Sequence, residues 1–324
     1  GGRYQAVAPL PDGSMVVAGR TEKKGLKGTY VDWAIRMLTK VGAGSWQYFH
    51  KATNTGGGVD SGAKAIIALD DGSFVVAGTL NNSKNGQRAT VLALTKDGSK
   101  KLWEKSYGGA GGGATSLVLD SSSGYILGGW AMVGKLSDGK ITKLSESGLQ
   151  VWDWNDGGEG LQRINGVVSR PDGGIWAAGW TQSGVKQTRR GWVVKLKSDG
   201  KLADKPGVVG EAGTFEFNDI EKTPDGGVVL AGTRVLSKQG VATSSMWLVR
   251  LNAAGEQLWQ YNTQTGNSIG RAVAVQGVDD VVVIGSIIKN DQPSGMVLAS
   301  VNSSGGYADK TWLLAFKGVD HKVS

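Results

Sequence analysis

Copies of one phrase, set about fifty residues apart, limit what this chain can fold into. Residues 170–179 read RPDGGIWAAG and residues 223–232 read TPDGGVVLAG; residues 10–19 (LPDGSMVVAG) and 69–78 (LDDGSFVVAG) repeat it. Two worn copies, SGYILGG at 123–129 and DDVVVIG at 279–285, complete the set. The closing glycines fall at 19, 78, 129, 179, 232 and 285, in steps of 59, 51, 50, 53 and 53. A period of that size, filled with β-branched residues and Asp-Gly turns, belongs to a propeller or a similar array of small sheets.

Each repeat reads as four strands, a to d. In the first, strand a covers 4–10, b covers 15–19, c covers 32–40 and d covers 46–50. A second phrase keeps the same period: an apolar strand c, a turn glycine, then a strand d tryptophan. It stands at 90–96 before Gly98 and Trp103, at Ile141 before Gly148 and Trp152, and at Trp247 before Gly255 and Trp259. Tight hairpin loops need positive φ, which Gly and Asp tolerate, so Asp-Gly suits these turns. The strands are nearly continuous apolar runs, as in sheets covered on both faces, and no stretch has helical periodicity. The expected fold is all-β: one six-bladed β-propeller domain over 1–324, built of four-stranded antiparallel blades. The blades fall at about 1–59, 60–109, 110–160, 161–212, 213–266 and 267–324.

These phrases resemble the repeats of a broad group of bacterial exported β-propellers, P-D-G-G-x-x-x-A-G followed by W-L-V-K-L-x-x-x-G-x-x-x-W. The resemblance spans the chain and is fullest in the fourth and fifth repeats. It implies the propeller fold and a periplasmic or extracellular location, but no shared activity. The Gly-x-x-x-Trp ending is also distantly similar to quinoprotein propeller repeats, which usually form eight blades around a dedicated cofactor. No such cofactor site is found in this sequence, and none is expected.

Composition removes several chemistries. With no cysteine there is no disulfide, thiolate nucleophile or zinc–thiolate site. The two histidines, His50 and His321, stand in different repeats. No run approaches the ~18 apolar residues of a membrane helix. The opening Gly1, Gly2, Arg3, Tyr4 is not a signal peptide and reads as a mature or trimmed start. No Asp-x-Asp-x-Asp-Gly calcium loop occurs. The glycine runs at 56–58 and 108–113 lie between repeats, without a following helix to bind phosphate. No metal ligand or catalytic residue is assigned, and a monomer is expected.

Eight tryptophans occupy repeated positions, Trp33, Trp192 and Trp247 in strand c and Trp46, Trp103, Trp152, Trp259 and Trp312 in strand d; these read as core. Trp130 and Trp180 differ. Each follows a closing glycine, where other repeats have Arg20, Thr79, Thr233 and Ser286. One polar column in strand a, Gln5, Lys64, Thr115, Asn165, Asn218 and Arg271, changes from repeat to repeat. So does the column two residues earlier, which includes Arg163 and Glu216. Lys64, Arg163, Asn165, Asn218 and Arg271, with Arg20, Trp130 and Trp180, are therefore the expected binding set at the mouth of a central channel, suited to an anionic group. The plain alternative is a solvated channel with structural tryptophans.

The segments between strands b and c, expected as long polar loops, carry fourteen Lys and Arg against four Asp and Glu. Their net +10 exceeds the +8 of the whole chain. Lys23, Lys24, Lys186, Arg189 and Arg190 are the expected basic face, and its partner an acidic protein or a polyanionic glycan. Nucleic acid fits the charge, but no reading motif accompanies it. Two alternatives stand beside this binding or scaffold module. One is a lyase or hydrolase of an anionic polysaccharide, using Glu216 or Asp219 as acid or base. The other is a lectin, which would need matched Trp–Arg–Glu sets in most repeats; the sequence does not show them.

Overall fold

The computed structural model describes the chain except residues 1, 26–27, 52–60, 83–85, 158–159, 184–187, 211–212, 264–266, 277–279, 291, 303–307 and 316–324, and the side chains of 25, 28–29, 82, 238 and 308–315. Every element among the described residues is a strand. The first sheet is β1 (Gly2–Pro9), β2 (Met15–Gly25), β3 (Gly28–Leu38) and β4 (Gly44–His50); the second is β5 (Gly62–Ala68), β6 (Phe74–Asn82), β7 (Gly86–Leu94) and β8 (Lys101–Tyr107). The third is β9 (Gly112–Leu119), β10 (Tyr125–Val133), β11 (Leu136–Leu144) and β12 (Gln150–Asn155). The fourth is β13 (Leu161–Ser169), β14 (Ile175–Gln182), β15 (Arg190–Leu196) and the short β16 (Gly207–Val209). The fifth is β17 (Thr214–Lys222), β18 (Val228–Lys238), β19 (Val241–Leu251) and β20 (Gln257–Asn262); the sixth is β21 (Ser268–Gln276), β22 (Asp280–Lys289), β23 (Gln292–Asn302) and β24 (Ala308–Ala315).

In each sheet the strands lie in chain order, and neighbouring strands pair antiparallel. This is the six-bladed β-propeller class that the glycine spacing predicts. The chain divides into two compact units, Gly1–Gly174 with Lys197–Lys201, and Ile175–Leu196 with Leu202–Ser324. No helix among the described residues is long and apolar enough to cross a membrane.

Alternation along one strand explains the continuous apolar runs. On β6, Phe74 and Val76 join the core shared with Val16, Ala18, Trp33 and Ile35 of the first sheet. Val75 and Ala77 face the other way, into the core shared with Leu117, Tyr125 and Leu127 of the third. Both faces are dry, so both sets of positions are apolar.

The Gly-x-x-x-Trp phrase is a joint between neighbouring sheets. Gly98, Gly148 and Gly200 hold positive φ in the turns from strand c to d. Each also lies under the tryptophan of the preceding sheet. A Cβ on Gly148 would stand 2.7 Å from the Trp103 ring, and one on Gly200 2.8 Å from Trp152. The fourth sheet has no strand d tryptophan, and there Trp176 of β14 reaches Gly255 instead.

The segments expected as long polar loops are mostly strand. β2 runs past its closing glycine to Gly25 and pairs with β3 down to Gly25 opposite Gly28. β18 and β19 pair to Lys238 opposite Val241, with Gln239 (φ 52°) and Gly240 (φ 80°) as a two-residue turn of the kind that matches strand twist. These ribbons lie beyond the packed body of the sheet, so they lack the hydrophobic alternation that marks a strand.

Candidate functional site

The variable column of strand a is a line of β-bulges. In the first sheet Tyr4 pairs with Gly19 and Ala6 with Ala18, leaving Gln5 unpaired. Lys64, Thr115, Asn218 and Arg271 are skipped in the same way in their sheets. An inserted residue twists the strand and turns its side chain out of the alternation, which is why bulges recur beside functional sites. The bulge also explains the closing glycine. A Cβ on Gly19, Gly78, Gly129, Gly232 or Gly285 would overlap the carbonyl oxygen of Arg3, Gly62, Gly113, Glu216 or Ile269 across the ladder.

Two of the bulged side chains stitch one sheet to the next. Thr115 Oγ1 donates to the Ile164 carbonyl at 2.6 Å, and Asn218 Nδ2 donates to the Gly270 carbonyl at 2.7 Å. Each acceptor precedes the next sheet's column residue, Asn165 or Arg271. The residue after each bulge adds a second stitch. Ser116 Oγ accepts the Val167 N–H at 3.2 Å, and Asp219 Oδ2 accepts the Val273 N–H at 2.9 Å. Burial pushes the Asp219 carboxyl up to about 6, against the downward pull of backbone N–H donors. Glu221 is raised by burial too. Thr115 and Ser116 were not among the expected site residues; the matching pair Asn218 and Asp219, at the same repeat positions, was the available signal.

The other expected residues divide by unit. In the first, the Arg163 guanidinium stands 5.8 Å from the Trp130 ring centre, and Trp130 is half-buried. Lys64 and Asn165 are half-buried and engaged. Arg20 pairs with Glu22 at 3.4 Å. Lys23 pairs with Asp32 at 3.2 Å and lies over the Phe49 ring at 4.7 Å, while Lys24 is exposed.

In the second unit, Trp180 is only 8% exposed, and the Arg189 guanidinium lies 4.0 Å above its ring. Arg189 also pairs with Glu216 at 2.9 Å, and its carbonyl accepts the Phe215 N–H at 2.9 Å. Two contacts on the guanidinium and one on the backbone thus order a side chain that is still 44% exposed. Arg190 donates to the Gly210 carbonyl. Arg271 is exposed, with its Nε 3.5 Å from Ser286 Oγ. Lys186 lies outside the described residues.

Both tryptophans singled out by the repeat therefore carry an arginine on the ring. The groups offered to solvent at these places are guanidinium forks, which bind carboxylate, sulfate and phosphate bidentately. Among the described residues no group of three or more His, Cys, Asp or Glu is placed to hold a metal ion.

No protein-family model matches the chain, and no curated protein matches it. Solved structures share its fold at low identity. The ulvan lyase of polysaccharide lyase family PL25, bound to -[GlcA(1-4)Rha3S]-, matches with TM-score 0.61 and 12% identity over 95% of this chain and 82% of that one. The periplasmic gluconolactonase of Pseudomonas aeruginosa matches with TM-score 0.60 and 12% identity over 96% and 85%. The quinohemoprotein alcohol dehydrogenase of Comamonas testosteroni matches with TM-score 0.54 and 11% identity over 96% and 67%. At such identities the likeness is one of fold, and the fold it supports is the β-propeller.

Proposed function

We propose that this chain is a binding module for a polyanionic glycan, held by arginines that tryptophans of the strand b–c hairpins pre-organise. The observation that carries this reading is Arg189, fixed by Trp180, Glu216 and its own backbone yet 44% exposed. A cation already ordered loses less freedom on binding than a free lysine. Arg163 over Trp130 is a second instance, in the other unit. The net +10 of the hairpin segments would draw an acidic polymer toward them. Acidic sugars are also what the PL25 lyase was solved with, which makes a glycan the first ligand class to try. A ligand of this kind implies a periplasmic or extracellular location.

The enzyme reading gives the acid or base role to Glu216 or Asp219. Glu216 is held by Arg189, and Asp219 is engaged with the Val273 N–H. The test is an array of acidic and neutral glycans and acidic proteins, read at low salt and at about 0.15 M salt. Arg189→Glu/Arg190→Glu and Arg163→Glu/Arg271→Glu are run in parallel, and the bound glycans are checked for cleavage. Selective glycan binding that survives the higher salt and falls in either variant is expected. Weak, unselective, salt-sensitive retention overturns the reading. Selective capture of acidic proteins alone replaces the glycan, and cleavage products replace the binding module with an enzyme.

A further inference from the structure

The hairpin ends carry positive charge, but one cavity at the opposite, turn end of the second and third sheets is acidic. Its volume is about 440 Å³, within the range of small-molecule sites. Trp103, Leu102, Leu119 and Tyr125 supply apolar and aromatic walls. Asp70, Asp71, Asp120 and Glu146 supply carboxylates.

Three of these acids depart from the repeat, and the other repeats serve as the control. Where Asp70 stands, three other turns have Pro11, Pro171 and Pro224. Asp120 occupies the place of Leu10, Leu69, Arg170 and Thr223, as the same turn hydrogen bond shows: the Asp120 N–H reaches the Gly124 carbonyl as the Leu10 N–H reaches Ser14. Glu146 takes the place of Lys40, Lys96, Ser198 and Ala253. Turn mechanics ask for neither Asp70 nor Glu146, while Asp120 also accepts the Ser122 and Ser123 N–H groups of its own turn; all three line one cavity.

The floor of the cavity carries an unmet demand. Asp120 is 93% buried, with 7% exposure. Its Oδ2 is 2.9 Å from Lys143 and also accepts from Ser122. Its Oδ1 is buried and has no hydrogen-bond partner among the described residues. At the rim, none of Asp70, Asp71 and Glu146 has an ion-pair partner among the described residues. Tyr125 is held above its ordinary pKa by burial and then by the nearby charges of Glu146 and Asp71, which places both acids close to the aromatic wall.

We propose that this cavity binds an organic cation: a primary ammonium or guanidinium on an apolar stem, with the stem against Trp103 and Tyr125 and the charge among Asp70, Asp120 and Glu146. Aromatic faces and carboxylates together favour such a ligand over a bare metal ion.

Calorimetric titration with phenethylamine tests this at about 0.15 M salt, with phenethyl alcohol as the neutral twin and a blocked Lys-Phe-Lys peptide as the protein-borne form of the same group. The informative variant is Asp70→Pro/Glu146→Lys, which installs residues that other repeats already carry at those positions. Glu146→Gln alone, at an exposed site, stands in if the double variant does not fold. Saturable amine binding is expected, with no binding of the alcohol and about tenfold weaker binding in the variant. Peptide binding would point to a protein side chain as ligand, and its absence to a free amine. The proposal fails if the alcohol binds as well as the amine, if the variant binds equally, or if no saturable binding occurs.

Discussion

Gly78 closes strand b because the bulge at Lys64 brings the Gly62 carbonyl against it, where no Cβ fits. The obstacle is backbone on the paired strand, so the clash cannot relax by a rotamer change. Gly78→Ala should therefore destabilise the fold by about 2–4 kcal/mol. Gly109→Ala, with nothing near its Cβ among the described residues, should stay within about 0.5 kcal/mol. Denaturant melts of the two variants make the comparison. Asp219 gives a pH-dependent prediction. Its native pKa, about 6, lies above the ordinary 3.8. Its contribution to stability is therefore full below the lower value and lost as pH rises through the higher one. Asp219→Asn keeps an acceptor for the Val273 N–H and removes the buried charge. Relative to the parent it should gain on the order of 2 kcal/mol above about pH 7 and nothing below about pH 4, as read from melting temperature across pH.

At the scale of elements, strand b and its turns could be read from the sequence because their residues obey local rules. Asp12 shows this: its carboxylate accepts the Ser14 N–H, and the following Gly13 takes positive φ. The extension of strands b and c beyond residues 19, 78 and 232 could not be read. Arg20, Lys23 and Lys24 lie on a ribbon whose pairing comes from ladder hydrogen bonds, not from burial. The column Gln5, Lys64, Thr115, Asn218, Arg271 was visible as a column, but a bulge is a property of register between two strands and leaves no local mark. For the same reason the sequence marked Asn218 for a ligand, while the structure places its amide on the Gly270 carbonyl. The turn glycine and the strand d tryptophan were visible as a repeat, and only packing shows that they meet across sheets. Trp152→Ala, which empties one joint under Gly200, should cost about 3 kcal/mol, measured by equilibrium unfolding.

At the scale of the whole molecule, charge is unevenly spread along the chain. The hairpin segments carry +10 while the remaining chain nets −2. That imbalance could be counted in the sequence. The stacking of Arg189 on Trp180 across one hairpin, and the approach of Arg163 to Trp130 from the next sheet, could not, because both depend on how strands and hairpins fold back in space. Charge alone would make a surface sticky to any anion. A guanidinium fixed over an indole instead selects planar oxyanions by two parallel hydrogen bonds.

The most direct test of this account is the affinity of Arg189→Lys for a sulfated, uronate-containing glycan at about 0.15 M salt. The substitution keeps the charge and removes the fork and its stacking. The account predicts about tenfold weaker binding than the parent chain, with the fold unchanged. Equal affinity would mean that net charge alone holds the ligand, contradicting the claim that a pre-organised arginine recognises it.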